Sequence, residues 1–326
     1  MAPRAGAEVR LHVPAHMLRD GTSHVPSFYL RLLETLRNLG ATTTVHPRDY
    51  DRLRAGPDGA SFELVHNGGL DRVQALNLAP AYLAGYYYLD PKGIYFESSI
   101  TDKTFNPASI EARYAAPFAA QLRRTWVEAR RSRYPQPDER ETFGQGHIAV
   151  FLQDWSDPVE RARYMTADQM VKTVVQNAAG RAVIVKPHPR NSARETQKIR
   201  QWLSRNHPEV RVTKANIHDI MAGACATVSI SSSVALEGML HRVPAILFGR
   251  SDLRHCAETV RNPEDWPQAL TRALTRDWPF DAFLLWFLRR QNLDASRPLQ
   301  DRLLGRMADQ GADFAALGIT RPDPNP

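Results

Sequence analysis

The chain of 326 residues lacks several things, and each absence narrows what it can be. No apolar run approaches the roughly 18 residues needed to span a bilayer. The longest is Ala282 to Leu288. The first residues, MAPRAGAEVRLHV, hold no continuous apolar stretch of the kind a secretory leader needs. Cysteine is scarce, with only Cys225 and Cys256, and no CxxC spacing joins them. That excludes a disulfide scaffold and a cysteine-based zinc module and fits two reduced, buried thiols. Neither a Walker motif nor a GxGxxG fingerprint occurs, which argues against a kinase, an ATPase and a classical dehydrogenase. Internal repeats and long low-complexity tracts are also missing. The expectation is a soluble, cytoplasmic chain.

What is present is an ordinary globular balance: 43% hydrophobic and 24% charged residues, enough for a sizeable core. The length suits two domains. Net charge is +7, and arginine supplies most of the basic residues. Such a surface attracts anions such as nucleotide phosphates, an anionic glycan or the inner membrane face, or is simply solvated. Nucleic acid is not expected as a partner, because the basic residues are dispersed and no nucleic-acid-binding signature accompanies them.

The first half opens as strand, helix and strand. Val9 to Val13 is apolar, Tyr29, Leu32, Leu33 and Leu36 recur at helical spacing, Gly40 stops the helix, and Thr42 to Val45 is extended. That succession implies a parallel sheet. The stretch from Leu78 to Ile100 is rich in Tyr, Gly and Pro and reads either as strand and loop facing a ligand or as a packed aromatic hairpin. A helix with arginines at 123, 124, 130, 131 and 133 follows, and the polar segment YPQPDERETFGQG places a division near 134–146.

The second half alternates strand and helix in the rhythm of a doubly wound sheet. Thr166 with Gln169, and Ser192 with Glu195, form capping boxes for two of its helices, and Asn216 caps a third. From Asp277 the tail is helical. Two readings of it stay open: packing against the rest of the chain, or a basic amphipathic contact with the inner membrane. The expected organisation is 1–140, 147–275, and a helical tail over 276–326.

Ligands of doubly wound sheets bind beyond the carboxyl ends of the strands. Two loops there carry unusual residues. Lys186-Pro187-His188-Pro189-Arg190 follows the strand AVIV; two prolines fix the direction of His188, and Lys186 and Arg190 add positive charge suited to a phosphate. Ser229-Ile230-Ser231-Ser232-Ser233 enters a helix whose free N–H groups and serine hydroxyls suit a phosphate, with Glu237 one turn in, placed to accept from ribose hydroxyls.

KPHPR followed by SSSVALEGMLHRVPAILFG resembles the signature of the capsule polysaccharide synthesis family, whose members resemble bacterial transferases of 3-deoxy-manno-octulosonic acid (Kdo) from its CMP-activated form. It is similar, more weakly, to the motif pair of CDP-glycerol-dependent teichoic acid polymerases; Ser229 and Ile230 depart from the acidic residue usual there. The resemblance implies a GT-B fold, an α/β architecture of two Rossmann-like domains facing a cleft with C-terminal helices. It places Lys186 and His188 at the phosphate, Ser232 and Ser233 at the helix turn, and Glu237 at the ribose. FLQDWSDP resembles the family's strand ending in Gln, which makes Gln153, Asp154 and Asp157 candidates for the donor site or cleft.

The implied reaction moves a sugar from a nucleotide-activated donor, CMP-linked and Kdo-like, to a glycan or glycolipid acceptor of the cell surface. It needs no cofactor, the nucleotide-sugar being a co-substrate. Its catalytic base is expected at His16 or Asp20, in HVPAHMLRDGTSH, with Asp90 and Asp157 behind them. Zinc at His12 and His16 is a rival that Pro14 disfavours, and no metal is expected. The alternatives are a nucleotide-sugar epimerase of the same build and a non-catalytic nucleotide- or glycan-binding assembly protein.

Overall fold

The structure is a computed structural model that describes residues 7–56, 59–154, 157–190 and 193–320, and for 157–159 and 193–195 the backbone only. It divides into two compact units, Met1–Asp102 with Leu288–Pro326, and Lys103–Phe287.

The first unit begins with β1 (Val9–Val13), α1 (Ser27–Asn38) and β2 (Thr43–Pro47). It continues through α2 (Tyr50–Ala55), β3 (Phe62–His66), β4 (Ala75–Pro80) and β5 (Tyr86–Asp90). β1 lies between β2 and β3, all parallel; β4 runs parallel to β3 and β5 antiparallel to β4. Phe28, Tyr29, Leu32, Leu33 and Leu36 form the buried stripe of α1, against Val9, Leu11 and Val13 of β1. Gly40 ends the helix at φ +101°, where a Cβ would collide with the carbonyl of Gly318. The other face is mixed: Leu53, Val65, Leu70 and Ala75 form a small second cluster, and β1 and β3 add buried charged groups. Arg10 pairs with Glu8 at 2.8 Å, and Glu63 receives both Arg10 and His12. The tyrosine-rich stretch is the packed hairpin β4–β5, with Tyr88 buried and Tyr95 in ring contact with Tyr82 and Tyr88, each at 5.4 Å.

The second unit starts with α3 (Ala112–Arg123), which runs on as a π-helical turn over Arg124–Glu128. Then come β6 (His147–Phe151), α4 (Asp157–Ala162), α5 (Ala167–Gln176), β7 (Val183–Lys186), α6 (Ala193–Asn206) and β8 (Arg211–Val212). α7 (Ile217–Ala222), β9 (Ala224–Ser229), α8 (Val234–Leu240), β10 (Ala245–Leu247), β11 (Glu258–Thr259), α9 (Trp266–Thr275) and α10 (Phe280–Leu285) complete it. Its strands are all parallel, in the order β11-β10-β9-β6-β7-β8. The first capping box is present: Thr166 Oγ1 accepts from Gln169 N at 3.1 Å and Gln169 Oε1 from Thr166 N at 2.9 Å. The second, at Ser192 and Glu195, lies outside the described residues. Asn216 caps α7, its Oδ1 accepting from His218 N at 3.0 Å.

The chain then returns to the first unit as β12 (Leu293–Asp294), antiparallel to β5, and α11 (Gln300–Asp309), whose Leu303, Leu304 and Met307 enter the first core. The divisions therefore fall at 102/103 and 287/288, where the sequence pointed to 134–146 and to a separate tail from 276. The cause is packing that a linear reading does not show. α3 docks on α10 through Arg123 and Asp281 at 3.0 Å, and Phe105 meets Phe283, which ties 103–133 to the second sheet. The stretch that follows the π-helical turn, 129–146, is an internal strap of that unit.

Candidate functional site

In the second sheet β6 leads outward to β7 and β8, whereas β9, on the other side of β6, leads to β10 and β11. The strand order reverses between β6 and β9, and the crevice beyond their carboxyl ends is where such sheets bind ligands. Gln153, just past β6, ties the two lips together. Its Oε1 accepts from Ser231 N at 2.6 Å, and its Nε2 lies 3.4 Å from Ser231 Oγ. Gln153 and Ser231 thus brace the crevice.

A pocket of about 410 Å³, counting the space at its open mouth, lies here. Lys186, His188, Ser232, Ser233 and Glu237 line it, joined by Ser132 and Tyr134 from the strap. Five residues chosen from two separated motifs are therefore brought to one cavity.

Lys186 closes β7. Its Nζ donates to Lys214 O at 3.0 Å and Ala215 O at 2.6 Å, leaving one of the three ammonium donors for a ligand. Burial lowers its pKa to about 8. His188 Nδ1 accepts from Arg190 N at 3.2 Å, so the neutral ring carries its proton on Nε2 and is a donor there. Burial holds its pKa below the usual value, and the charge of Asp154 opposes that shift. The ring meets Tyr134 edge-on at 5.0 Å, and the Arg190 guanidinium covers the Tyr134 ring at 4.9 Å. Arg190 is exposed, at the rim, acting through Tyr134.

The serine turn is self-supporting: Ser229 Oγ accepts from Ser232 N at 3.3 Å and Ser232 Oγ from Val234 N at 3.2 Å. The cap of α8 is thus Ser232, with Ser233 already helical and making no side-chain cap. α8 is only seven residues long, so side chains carry more of the site's chemistry here than a helix dipole does. Gly238 lets α8 sit close against β9, since a Cβ there would lie 2.9 Å from Thr227 Cγ2.

That close seat buries Glu237, 2% exposed. Ser132 Oγ donates to its Oε1 at 3.2 Å, and among the described residues its Oε2 has no partner. Burial raises its pKa to about 8, against the opposing pull of Ser132 and Arg133. A desolvated carboxyl with an unsatisfied oxygen is unfavourable unless a ligand supplies donors. Two adjacent hydroxyls would do so.

Ser132 and Tyr134 escaped the sequence reading because Ser132 lies at the end of the stretch read as an arginine-rich helix and Tyr134 opens the one taken for an inter-domain connector. The only available signal was a tyrosine beside a proline in an otherwise polar run.

The remaining candidates lie elsewhere. His16 sits in a 3₁₀ turn, Ala15–Leu18, beyond the carboxyl end of β1 in the first unit, and is exposed. Asp20 forms an exposed pair with His24 at 3.1 Å. Near them His66 Nδ1 is 2.9 Å from Tyr29 Oη; burial first, then Arg48 and His16, lowers its pKa to about 4. Asp157 opens α4, and its side chain lies outside the described residues. Asp90 is a structural acid, accepting from the backbone N–H groups of Lys92, Gly93 and Ser99 and from Ser99 Oγ. His12 is buried against Glu63 while His16 is exposed, so the two do not form a ligand pair. Among the described residues no group of three or more His, Cys, Asp or Glu side chains is placed to hold a metal ion.

Residues 160–253 match the family of capsule polysaccharide biosynthesis proteins. The match lies inside the second unit and spans both KPHPR and the serine turn with Glu237. Two solved structures from Thermosulfurimonas dismutans share the fold. KpsC, beta Kdo 2,4 transferase, is 17% identical with a TM-score of 0.52, over 85% of this chain and 88% of that one. KpsC, beta Kdo 2,7 transferase, is 12% identical with a TM-score of 0.54, over 93% and 99%. The resemblance read from the two motifs therefore holds, and the fold is of the GT-B type. No curated protein matches in sequence.

Proposed function

We propose that the protein is a glycosyltransferase of capsule polysaccharide synthesis that takes its sugar from a nucleotide-activated donor, CMP-linked and Kdo-like. The observation that carries this reading is Glu237, buried at the strand-order switch with one oxygen lacking a donor. A ribose diol supplies two hydroxyl donors to such a carboxylate.

The leaving phosphate then falls to Lys186, His188 and the hydroxyls of Ser232 and Ser233. Among the residues that line the pocket the cation supply is small, one ammonium already held by two carbonyls and an imidazole that burial keeps neutral, with Arg133 and Arg190 acting on His188 from outside the lining. That suits a single phosphate better than a diphosphate and favours a nucleoside monophosphate as leaving group. In the reaction the bond from the anomeric carbon to the phosphate oxygen breaks and the acceptor oxygen bonds to that carbon. A base takes the acceptor's proton, and His16 or Asp20 is assigned to it, with Asp157 as the reserve. The acceptor is a glycan or glycolipid, and the first unit, Met1–Asp102 with Leu288–Pro326, is the part assigned to it. No cofactor enters the scheme. No described helix is long and apolar enough to cross a membrane. Peripheral contact with the inner membrane belongs to the proposal for a lipid-linked acceptor.

The test is a thermal-shift series with CMP, CDP, UDP, GDP and ADP on the wild type and Glu237→Ala. A ligand that binds only the native state raises the midpoint by mass action. CMP is expected to raise it, and Glu237→Ala to abolish that rise. A rise with UDP alone would overturn the cytidine assignment, and a CMP rise that survives in Glu237→Ala would overturn the site.

A further inference from the structure

The pocket's third wall is the strap that follows the π-helical turn, and its placement rests on two histidines outside the cavity lining. Arg130 turns the chain off the helix in a left-handed conformation, φ +53°, a strain that persists only where the surroundings hold it. Its guanidinium is clasped by Asp219 of α7, whose Oδ2 also accepts from Glu141 N at 3.0 Å. One residue on, Arg131 O lies 2.7 Å from His218 Nε2. His218 Nδ1 in turn lies 2.9 Å from His241 Nε2.

A carbonyl can only accept, so His218 must donate from Nε2. Its Nδ1 then accepts, and the proton between the rings belongs to His241 Nε2. Both tautomers are fixed by one carbonyl. Burial keeps both rings neutral at pH 7, His241 with its pKa lowered to about 4. His241 is the residue that closes α8, the helix of Glu237, and Ser132, next after Arg131, gives Glu237 its one hydrogen bond.

We propose that the His241–His218–Arg131 relay is a positioning device that registers the strap on α8 and so sets Ser132 and Tyr134 against Glu237 and His188. The proposal rests on the nucleotide reading of the pocket. Neither histidine touches the ligand; both act through the strap. Glutamine at 218 keeps a donor for Arg131 O and an acceptor for His241, while phenylalanine keeps neither.

The experiment compares wild type, His218→Phe and His218→Gln by calorimetric titration with CMP and by hydrogen exchange of residues 131–136. His218→Phe is expected to weaken CMP at least tenfold and to speed exchange in 131–136. His218→Gln is expected to restore both to within threefold. Equal losses in the two variants, or unchanged exchange in His218→Phe, overturns the proposal. Should His218→Phe not fold, His241→Leu serves: it leaves His218 and its bond to Arg131 O in place but removes the donor that anchors His218 Nδ1 to the end of α8, and exchange in 131–136 must rise. Should the wild type bind no CMP, the nucleotide reading fails while the exchange measurement still decides the relay.

Discussion

Two buried acids, one in each unit, are partnered in opposite ways. In the first unit Asp90 takes four donors from the loop beside it, although His12 Nδ1, Thr43 Oγ1 and Arg72 Nη2 of the same unit are buried without a hydrogen-bond partner among the described residues. In the second unit Glu237 is as deeply buried, yet one oxygen is left without a partner and the other has a single long contact. A buried acid whose partners are complete holds a loop in place. A buried acid with a vacancy facing a cavity at a strand-order switch marks a ligand. Both lie at or near strand ends, so position alone does not tell them apart. Partner accounting does.

The largest effect that tests this contrast is at Asp90. Asp90→Ala strands three backbone donors and a hydroxyl, and a loss of about 4 kcal/mol is expected from uncompensated buried groups. Thermal denaturation should show a fall of about 10 °C, with CMP affinity within twofold of wild type. A mild change in stability would mean that water replaces the carboxylate and that the loop is not held as described.

Glu237 should behave in reverse. Glu237→Gln keeps the shape and removes the desolvated charge, so CMP affinity is expected to fall about a hundredfold, about 2.7 kcal/mol, while the fold does not suffer. Its pKa of about 8 stands above the unfolded value, so the wild type loses stability as pH rises from 4.5 towards 8. The variant should accordingly melt several degrees higher than wild type at pH 8 and equally at pH 4.5. Calorimetry at the two pH values checks this, and a lower midpoint at pH 8 would sink the account of Glu237 as an unsatisfied acid.

The contrast also shows what a linear reading can reach. The strand Val9–Val13, the helical spacing of Tyr29, Leu32, Leu33 and Leu36, and the caps at Thr166 and Asn216 were legible, because apolar spacing and caps are local properties. The two motifs were legible as well, since the proline pair and the serine turn sit together in sequence. What could not be read was anything decided by distant packing. β12 is two residues long and exists only because β5 is beside it. Ser132 is 105 positions from Glu237 and carries no motif. Lys186 looked like a phosphate ligand alone, yet much of its ammonium is held by Lys214 and Ala215, carbonyls that no pattern announces.

A smaller effect comes from two buried imidazoles, one in each unit. His66 and His241 both have pKa values lowered to about 4 by burial. Their folded values lie below the unfolded 6.5, so the stability they contribute is complete above pH 6.5 and is lost as pH falls towards 4. Between pH 7 and pH 5 each should cost on the order of 2 kcal/mol. Glu237 opposes that loss in its own unit, so Glu237→Gln should lose stability on acidification more steeply than the wild type. Equal pH slopes for the two proteins would break the assignment of that opposing term.

The smallest effect on stability and binding is expected at His16 and Asp20, and there the informative quantity is turnover. Asp20 and His24 form an exposed pair, worth little to the fold. His16 is exposed beside the buried His66, and its removal leaves no polar group stranded. His16→Ala and Asp20→Asn should each melt within about 1 °C of wild type and bind CMP within about twofold. If one of them takes the acceptor's proton, its loss should lower transfer from a CMP-linked sugar about a hundredfold or more, with donor affinity unchanged. A fall in rate together with donor affinity would instead place the residue at the donor. Full turnover in both variants would remove the base from this loop and move the search to Asp157.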